Sequence, residues 1–372
     1  MTAFLSRACA LALLTASCVA SALPAYAKPT VEVAFILDTT GSMASLIEGA
    51  KRKIWSIATT IIDDNPGADI RMGLVAYRDV GDEYVTKRVE LTTDIQDLYA
   101  QLLELRARGG GDWPESVNEA LHEGIAKLSW TSGPEVSRIV FLVGDAPPHM
   151  DYQQDMKYPQ VLALAKQKDI VVNAVQAGEA RDTLRVWREI AQMGDGHYIP
   201  IPQDGGKLVV IETPFDLEII ELQEKLNGTV IPYGPRHQRS SVEQKTRQAA
   251  NAPKPAAADM AGYLNKRART ATAAEAITGS GDLVADVVAG RQMLSAVKDD
   301  ELPDAIRAMK LEDRQAAITK QMSDRKALND RMTELVKKRD AFVIKQQKKQ
   351  PVRTADSFDR AVQSTLKVQV KR

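Results

Sequence analysis

Cysteine is all but missing from this chain. Its two copies, Cys9 and Cys18, lie in a segment that reads as a cleavable export signal. Arg7 precedes an apolar run from Ala8 to Leu23. Pro24-Ala25-Tyr26-Ala27 follows, with small residues at the two positions a signal peptidase reads, so cleavage is expected before Lys28. A signal peptide over 1–27 leaves the rest of the chain with no thiol to pair, ligate or attack. Disulfides, thiolate metal sites and cysteine nucleophiles are excluded together. Thr15-Ala16-Ser17-Cys18 is a weaker alternative, a lipoprotein-like box with Thr15 where Leu is usual.

Long apolar runs are equally scarce. The leader is too short for an anchor, and no other stretch approaches the ~20 apolar residues of a spanning helix. A soluble exported protein is expected, periplasmic or secreted in the manner of bacterial proteins. Net charge is absent too, 49 Lys and Arg against 49 Asp and Glu, so nothing points to nucleic acid. The tail is less even, since 291–372 carries more basic than acidic residues; a solvated helical face accounts for that excess. The chain also lacks a Walker-type loop with Lys, a His-Glu-x-x-His run and a Ser-His-Asp arrangement, which leaves phosphoryl transfer and hydrolysis without a motif.

What is present is alternation. Strand-length apolar runs at Val31–Asp38, Ile70–Arg78, Thr86–Leu91, Arg138–Gly144, Ile170–Ala177 and His197–Ile201 are separated by segments of helical period. This pattern predicts an α/β domain over 28–228, a doubly wound, mostly parallel six-stranded sheet of Rossmann-like form. Only Asp79 to Val85 joins the second and third strands. So short a connection holds no crossover helix, so the third strand should be an antiparallel edge. From 229 to 282 prolines sit among Ala, Gln, Ser and Arg, and a largely disordered linker is expected. Helical pattern returns over 283–372. Ile318, Leu328, Met332, Leu335 and Phe342 make a partial heptad of coiled-coil type, but Arg325 and Arg339 occupy seam positions between them. A helical hairpin, or a helix awaiting a partner through which the chain self-associates, fits better than a long coiled coil.

In such sheets ligands bind beyond the carboxyl ends of the strands, where the strand order reverses. The first strand ends Asp38-Thr39-Thr40-Gly41-Ser42, bringing a carboxylate and two hydroxyls to one turn. The fourth ends Gly144-Asp145, adding a second carboxylate, and Gly109-Gly110-Gly111-Asp112-Trp113-Pro114-Glu115 forms a glycine-rich loop from which Asp112 can point inward. Oxygen donors without His or Cys suit a hard cation, Mg²⁺ or Ca²⁺. Ser42 alone would serve equally as a helix cap, Glu115 reads as a dipole partner in the first turn of its helix, and Asp79 as a turn residue. His149 and Asp151 suggest a second metal site, but no third ligand at helical spacing accompanies them.

Asp38-x-Thr40-x-Ser42, the Gly109–Gly111 loop and Gly144-Asp145 together resemble the metal-ion-dependent adhesion site of von Willebrand factor type A domains. Ala76-Tyr77-Arg78-Asp79 and the Gly-Gly-Gly-Asp-Trp-Pro-Glu run are similar to the type A domain attached to alpha-type protein kinases, though no kinase region follows. The resemblance covers Val31 to Asn227. It implies a metal held by Asp38, Thr40, Ser42, Asp112 and Asp145, and a protein ligand whose own carboxylate completes the coordination sphere. Adhesion-type members carry Thr where this chain has Asp112; a third carboxylate would tighten the cation and weaken its pull on a partner's acid. Tyr77, Trp113 and Met150 are candidates for a recognition rim. The expected function is a non-enzymatic, cation-dependent protein-binding module of the cell envelope. The alternatives are a metal-dependent hydrolase, or a structural ion with binding by the helical tail.

Overall fold

The computed structural model describes residues 29–206, 211–269, 277–278, 281–349 and 358–370. The export signal expected over 1–27, its two cysteines and the terminal Lys371-Arg372 lie outside the described residues.

Six strands form one sheet in the order β3-β2-β1-β4-β5-β6. They are β1 (Thr30–Asp38), β2 (Asp69–Tyr77), β3 (Thr86–Thr92), β4 (Val136–Gly144), β5 (Ile170–Ala177) and β6 (Asp195–Ile201). All neighbours are parallel except β2 and β3, as the short connection requires. β1 and β4 are buried along almost their whole length because both faces of the sheet are covered. Alternate residues of β1 supply the two faces. Ala34 and Ile36 pack with α3 (Val117–His122), α4 (Tyr158–Gln167) and α5 (Arg181–Met193). Val31, Val33, Phe35 and Leu37 pack with α1 (Ala44–Asp64) and α2 (Ile95–Glu104).

That second face is completed by residues far along the chain. The segment expected as a disordered linker instead carries α7 (Arg236–Ala250) and α8 (Lys254–Arg267), and Ala256, Met260, Tyr263 and Leu264 of α8 are core residues beside Trp55. The Pro-rich composition misled because two of the prolines start helices: Pro253 and Pro235 stand at the N-cap positions of α8 and α7. The C-terminal helix α12 (Phe358–Gln369) sits on the same face. Phe358 meets Phe35 edge-on, with ring centroids 6.1 Å apart, and the side-chain amides of Gln369 and Asn173 exchange two 2.8 Å hydrogen bonds.

The remaining helices are α6 (Asp216–Asn227), which precedes α7, and α9 (Leu283–Val288), the short α10 (Asp304–Arg307) and the 37-residue α11 (Leu311–Gln347), which follow α8. Neither hairpin nor coiled coil is present among the described residues; α11 is one helix laid across α6 and α8 through Met332, Leu335 and Val336. The two seam arginines are anchors. Arg325 is buried, with Nη1 2.6 Å from Asp282 and further bonds to the carbonyl and hydroxyl of Thr229. Arg339 bridges Asp216 at 2.8 Å and Asp259 at 2.6 Å. Among the described residues no helix is long and apolar enough to cross a membrane.

Candidate metal centre

Strand order reverses between β1 and β4; β1 ends there in Asp38, and Asp145 follows directly on the last residue of β4. Asp38 is fully buried, and its Oδ1 accepts from the Thr40 amide at 2.8 Å and the Thr40 hydroxyl at 2.7 Å. The Thr40 hydroxyl lies 3.3 Å from that of Ser42, so one turn presents a carboxylate and two hydroxyls in sequence. The other oxygen of Asp38, Oδ2, is buried with no hydrogen-bond partner. Gly144 permits the approach of β4, since a Cβ there would stand 2.3 Å from the Tyr77 hydroxyl and 3.3 Å from Asp38 Oδ2. The next residue, Asp145, is buried too; its carbonyl accepts from the Thr183 hydroxyl at 2.9 Å, and its Oδ2 from the Gln203 amide at 2.6 Å.

The glycine-rich loop is pinned against this turn. The Gly41 amide donates to Gly109 O at 3.2 Å, Arg108 N to Thr39 O at 3.1 Å and Gly110 N to Asp82 Oδ2 at 3.1 Å. Gly109 and Gly110 have φ of 78° and 80°, the left-handed region where a side chain is strained. A Cβ on Gly110 would also fall 3.0 Å from Glu115 Oε1 and 3.1 Å from Thr40 Cβ, so the Glu115 carboxylate lies over the first loop. Glu115 is buried and its Oε2 has no partner. Its backbone bridges to the β4 loop, donating to Pro147 O at 3.0 Å and accepting from His149 N at 3.0 Å.

Burial without compensating positive charge makes these acids hard to ionise. Desolvation, reinforced by the Asp145 charge, pushes Asp38 up to about 7 against the opposing bonds from Thr40 and the nearby polar backbone of Asp145. Desolvation, then Asp38, Asp79, Asp82 and Asp145, pushes Glu115 up to about 9. Carboxylates that raise one another's proton affinity make a pocket of negative potential that a cation would neutralise.

The profile of the von Willebrand factor A domain family matches residues 32–210, the sheet and all three loops. This chain carries a von Willebrand factor A domain. The alpha-protein kinase vwkA of Dictyostelium discoideum is 29% identical over 126 residues, covering 33% of this chain and 19% of that protein. The human von Willebrand factor A domain-containing protein 7 is 33% identical over 123 residues, 32% of this chain and 12% of that one. The chain thus spans under a fifth of the length of either relative. Among solved structures, the VWA domain of SpRpn10 is similar with a TM-score of 0.36 and 15% identity, covering 48% of this chain and 89% of that one. A domains are in the main protein-interaction modules, and they often hold a divalent cation.

Within the A domain, the loops bring Asp38, Thr40, Ser42 and Asp145 to one end of the sheet, while Asp112 turns elsewhere. Its Oδ2 lies 3.4 Å from His149 Nε2 and its side chain is exposed, whereas Glu115 is buried with its carboxylate toward Thr40, so the buried acid that the glycine-rich loop brings to the first turn is Glu115 rather than Asp112. Helical spacing alone made Glu115 look like a dipole partner; the pairing of its backbone with the β4 loop, which turns the side chain inward, is a tertiary effect. Tyr77 is fully buried in the core and cannot touch a partner. Trp113 and Met150 are half exposed, at 47% and 50%, and Trp113 Nε1 donates to Asp182 at 2.6 Å. Asp79 is no simple turn residue: it is buried, accepting from Ser116 Oγ and the Tyr152 hydroxyl at 2.8 Å each. Gln203, on the turn after β6, gave no sequence signal at all.

Proposed function

We propose that this A domain binds one hard divalent cation, Mg²⁺ or Ca²⁺, in the crevice between β1 and β4, and uses it to hold an acidic side chain of a protein partner. The carrying observation is Asp38 Oδ2, a buried carboxylate oxygen without a hydrogen-bond partner, beside the backbone of β4. An unpaired buried carboxylate is costly, and a cation at that oxygen removes the cost. Thr40, Ser42 and Asp145 supply further oxygens, and Glu115 adds charge directly or through water. The ligand atoms that Asp38, Thr40, Ser42 and Asp145 offer are all oxygens, which suits a hard ion. Trp113 and Met150, both exposed, form an apolar rim for the partner. With an export signal ahead of it, the module would work in the periplasm or outside the cell, the helical region bracing the domain rather than capturing the ligand.

The test is cation titration of the metal-free chain by calorimetry, followed by capture of envelope proteins with and without EDTA. One saturable site that Asp145→Asn weakens, with capture lost both in EDTA and in Asp145→Asn, supports the reading. Cation binding unaffected by Asp145→Asn would overturn the site, and EDTA-insensitive capture would overturn the use of the ion.

A further inference from the structure

We propose that Asp79, Asp112 and His149 form a second cation site, separate from the oxygen-lined crevice and suited to a borderline first-row transition ion such as Zn²⁺. The three come from three loops, after β2, before α3 and after β4, and among the described residues they are the only group of three acidic or His ligands whose donor atoms all lie within 4.8 Å of one another. His149 Nε2 is 3.5 Å from Asp79 Oδ2 and 3.4 Å from Asp112 Oδ2. Ligands of a tetrahedral Zn²⁺, each about 2.0–2.1 Å from the ion, stand roughly 3.4 Å from one another, so His149 is spaced from each of the two carboxylates as a shared ion requires.

The imidazole is aimed for this task. Its Nδ1 is 2.8 Å from Asp151 Oδ1, the carboxylate–histidine pairing that fixes the tautomer and leaves the Nε2 lone pair for a metal. Tyr152 stacks on the ring with centroids 4.0 Å apart, and its hydroxyl holds Asp79. Nε2 itself is buried without any hydrogen-bond partner, in a residue 6% exposed. A charged imidazolium bonded to these acids would sit about 2.7–2.9 Å away; the observed spacing is too long for that and right for a shared ion. Asp155 Oδ2 is likewise buried and unpartnered. A nitrogen donor with carboxylates separates this site from the crevice, since imidazole favours Zn²⁺ and its neighbours over Mg²⁺ or Ca²⁺. Asp112 is exposed, its side chain at 59%, so the fourth position opens to solvent and takes water or an acid from outside.

The experiment is calorimetric titration of the full, metal-free chain with Zn²⁺ in saturating Mg²⁺ and Ca²⁺, which keep the crevice filled. One Zn²⁺ per chain is expected. His149→Gln and Asp112→Asn should each weaken binding by at least about 10-fold, and Asp151→Asn, acting on the ligand's orientation, by about 10-fold. Asp38→Asn should leave Zn²⁺ affinity unchanged. Asp112→Asn alters an exposed side chain and so tests the site without threatening the fold, which circular dichroism verifies for every variant. Co²⁺ gives an independent readout, a visible tetrahedral band that disappears in His149→Gln. The site is overturned by absence of saturable Zn²⁺ binding, by affinity unchanged in Asp112→Asn, or by loss of binding in Asp38→Asn instead.

Discussion

The side-chain amide of Gln203 donates to Asp145 Oδ2 at 2.6 Å and lies 3.4 Å from Ser42 O, so the turn after β6 holds the same carboxylate that the crevice would offer to a cation. An ion arriving at Asp145 must share or displace that amide. Gln203→Ala removes the competitor, and because a hydrogen bond to a charged group is worth roughly 1.5–3 kcal/mol at most, Mg²⁺ or Ca²⁺ affinity should rise several-fold. Calorimetry on the variant checks this; an unchanged or lowered affinity would show that Gln203 supports the site instead.

Proton linkage predicts a distinctive pH response. Asp38 and Glu115 bind protons more tightly folded than unfolded, with folded values of about 7 and about 9 against ordinary values near 4. The metal-free folded state therefore holds extra protons, and its stability falls as pH rises from about 4 through those values. A cation competes with the same protons, so its stabilising effect must grow over that range. Melting curves at pH 5 and pH 8, each with EDTA and with Mg²⁺ or Ca²⁺, should show a lower metal-free midpoint and a larger cation increment at pH 8. A cation increment equal at both pH values would contradict the linkage.

Removing everything after Gly228 should not yield a stable A domain. Met260, Tyr263, Leu264, Phe358, Val362 and Leu366 are all core residues of the face that also carries Phe35 and Trp55. Burial of each is worth about 1.5–3 kcal/mol, and their sum is comparable with the roughly 5–15 kcal/mol that holds a domain folded. Truncation should give an aggregating or dye-binding species without a cooperative melt; a sharp transition near that of the full chain would show that the helices only decorate the domain.

The division of the sequence into strands and helices was legible because β1, β4 and β5 are apolar runs of strand length bounded by turns, and because the eight residues between β2 and β3 leave no room for a crossover. The oxygens of Asp38, Thr40, Ser42 and Asp145 were legible for the same reason, being fixed by the ends of strands. What local pattern could not reveal was tertiary. Asp112 and Glu115 lie three residues apart on one loop, and only the bridge from Glu115 to the β4 loop decides which of them faces the crevice. The region from 236 to 267 looked like linker because Gln, Ala and Arg give weak hydrophobic periodicity, while its burial depends on a sheet face that local composition does not reveal.

Arg325 makes a sharp test of the helical region. It is 8% exposed and paired with Asp282, itself 1% exposed. Removing one partner of a buried ion pair strands the other, at a cost of about 3–5 kcal/mol. Arg325→Ala should lower the denaturant midpoint strongly, and Arg325→Met with Asp282→Leu should recover much of the loss. If the single variant costs less than about 1 kcal/mol, the pair is solvated in solution.

The most direct measurement is anomalous diffraction from crystals of the full chain soaked in Mn²⁺, a scattering substitute for Mg²⁺ or Ca²⁺. An anomalous peak within about 2.0–2.6 Å of Asp38 Oδ2, with Ser42 and Asp145 oxygens in its shell and no such peak in Asp38→Asn, is the expected result. A crevice without a peak, or with the same peak in Asp38→Asn, would contradict the assignment of a cation to the ends of β1 and β4.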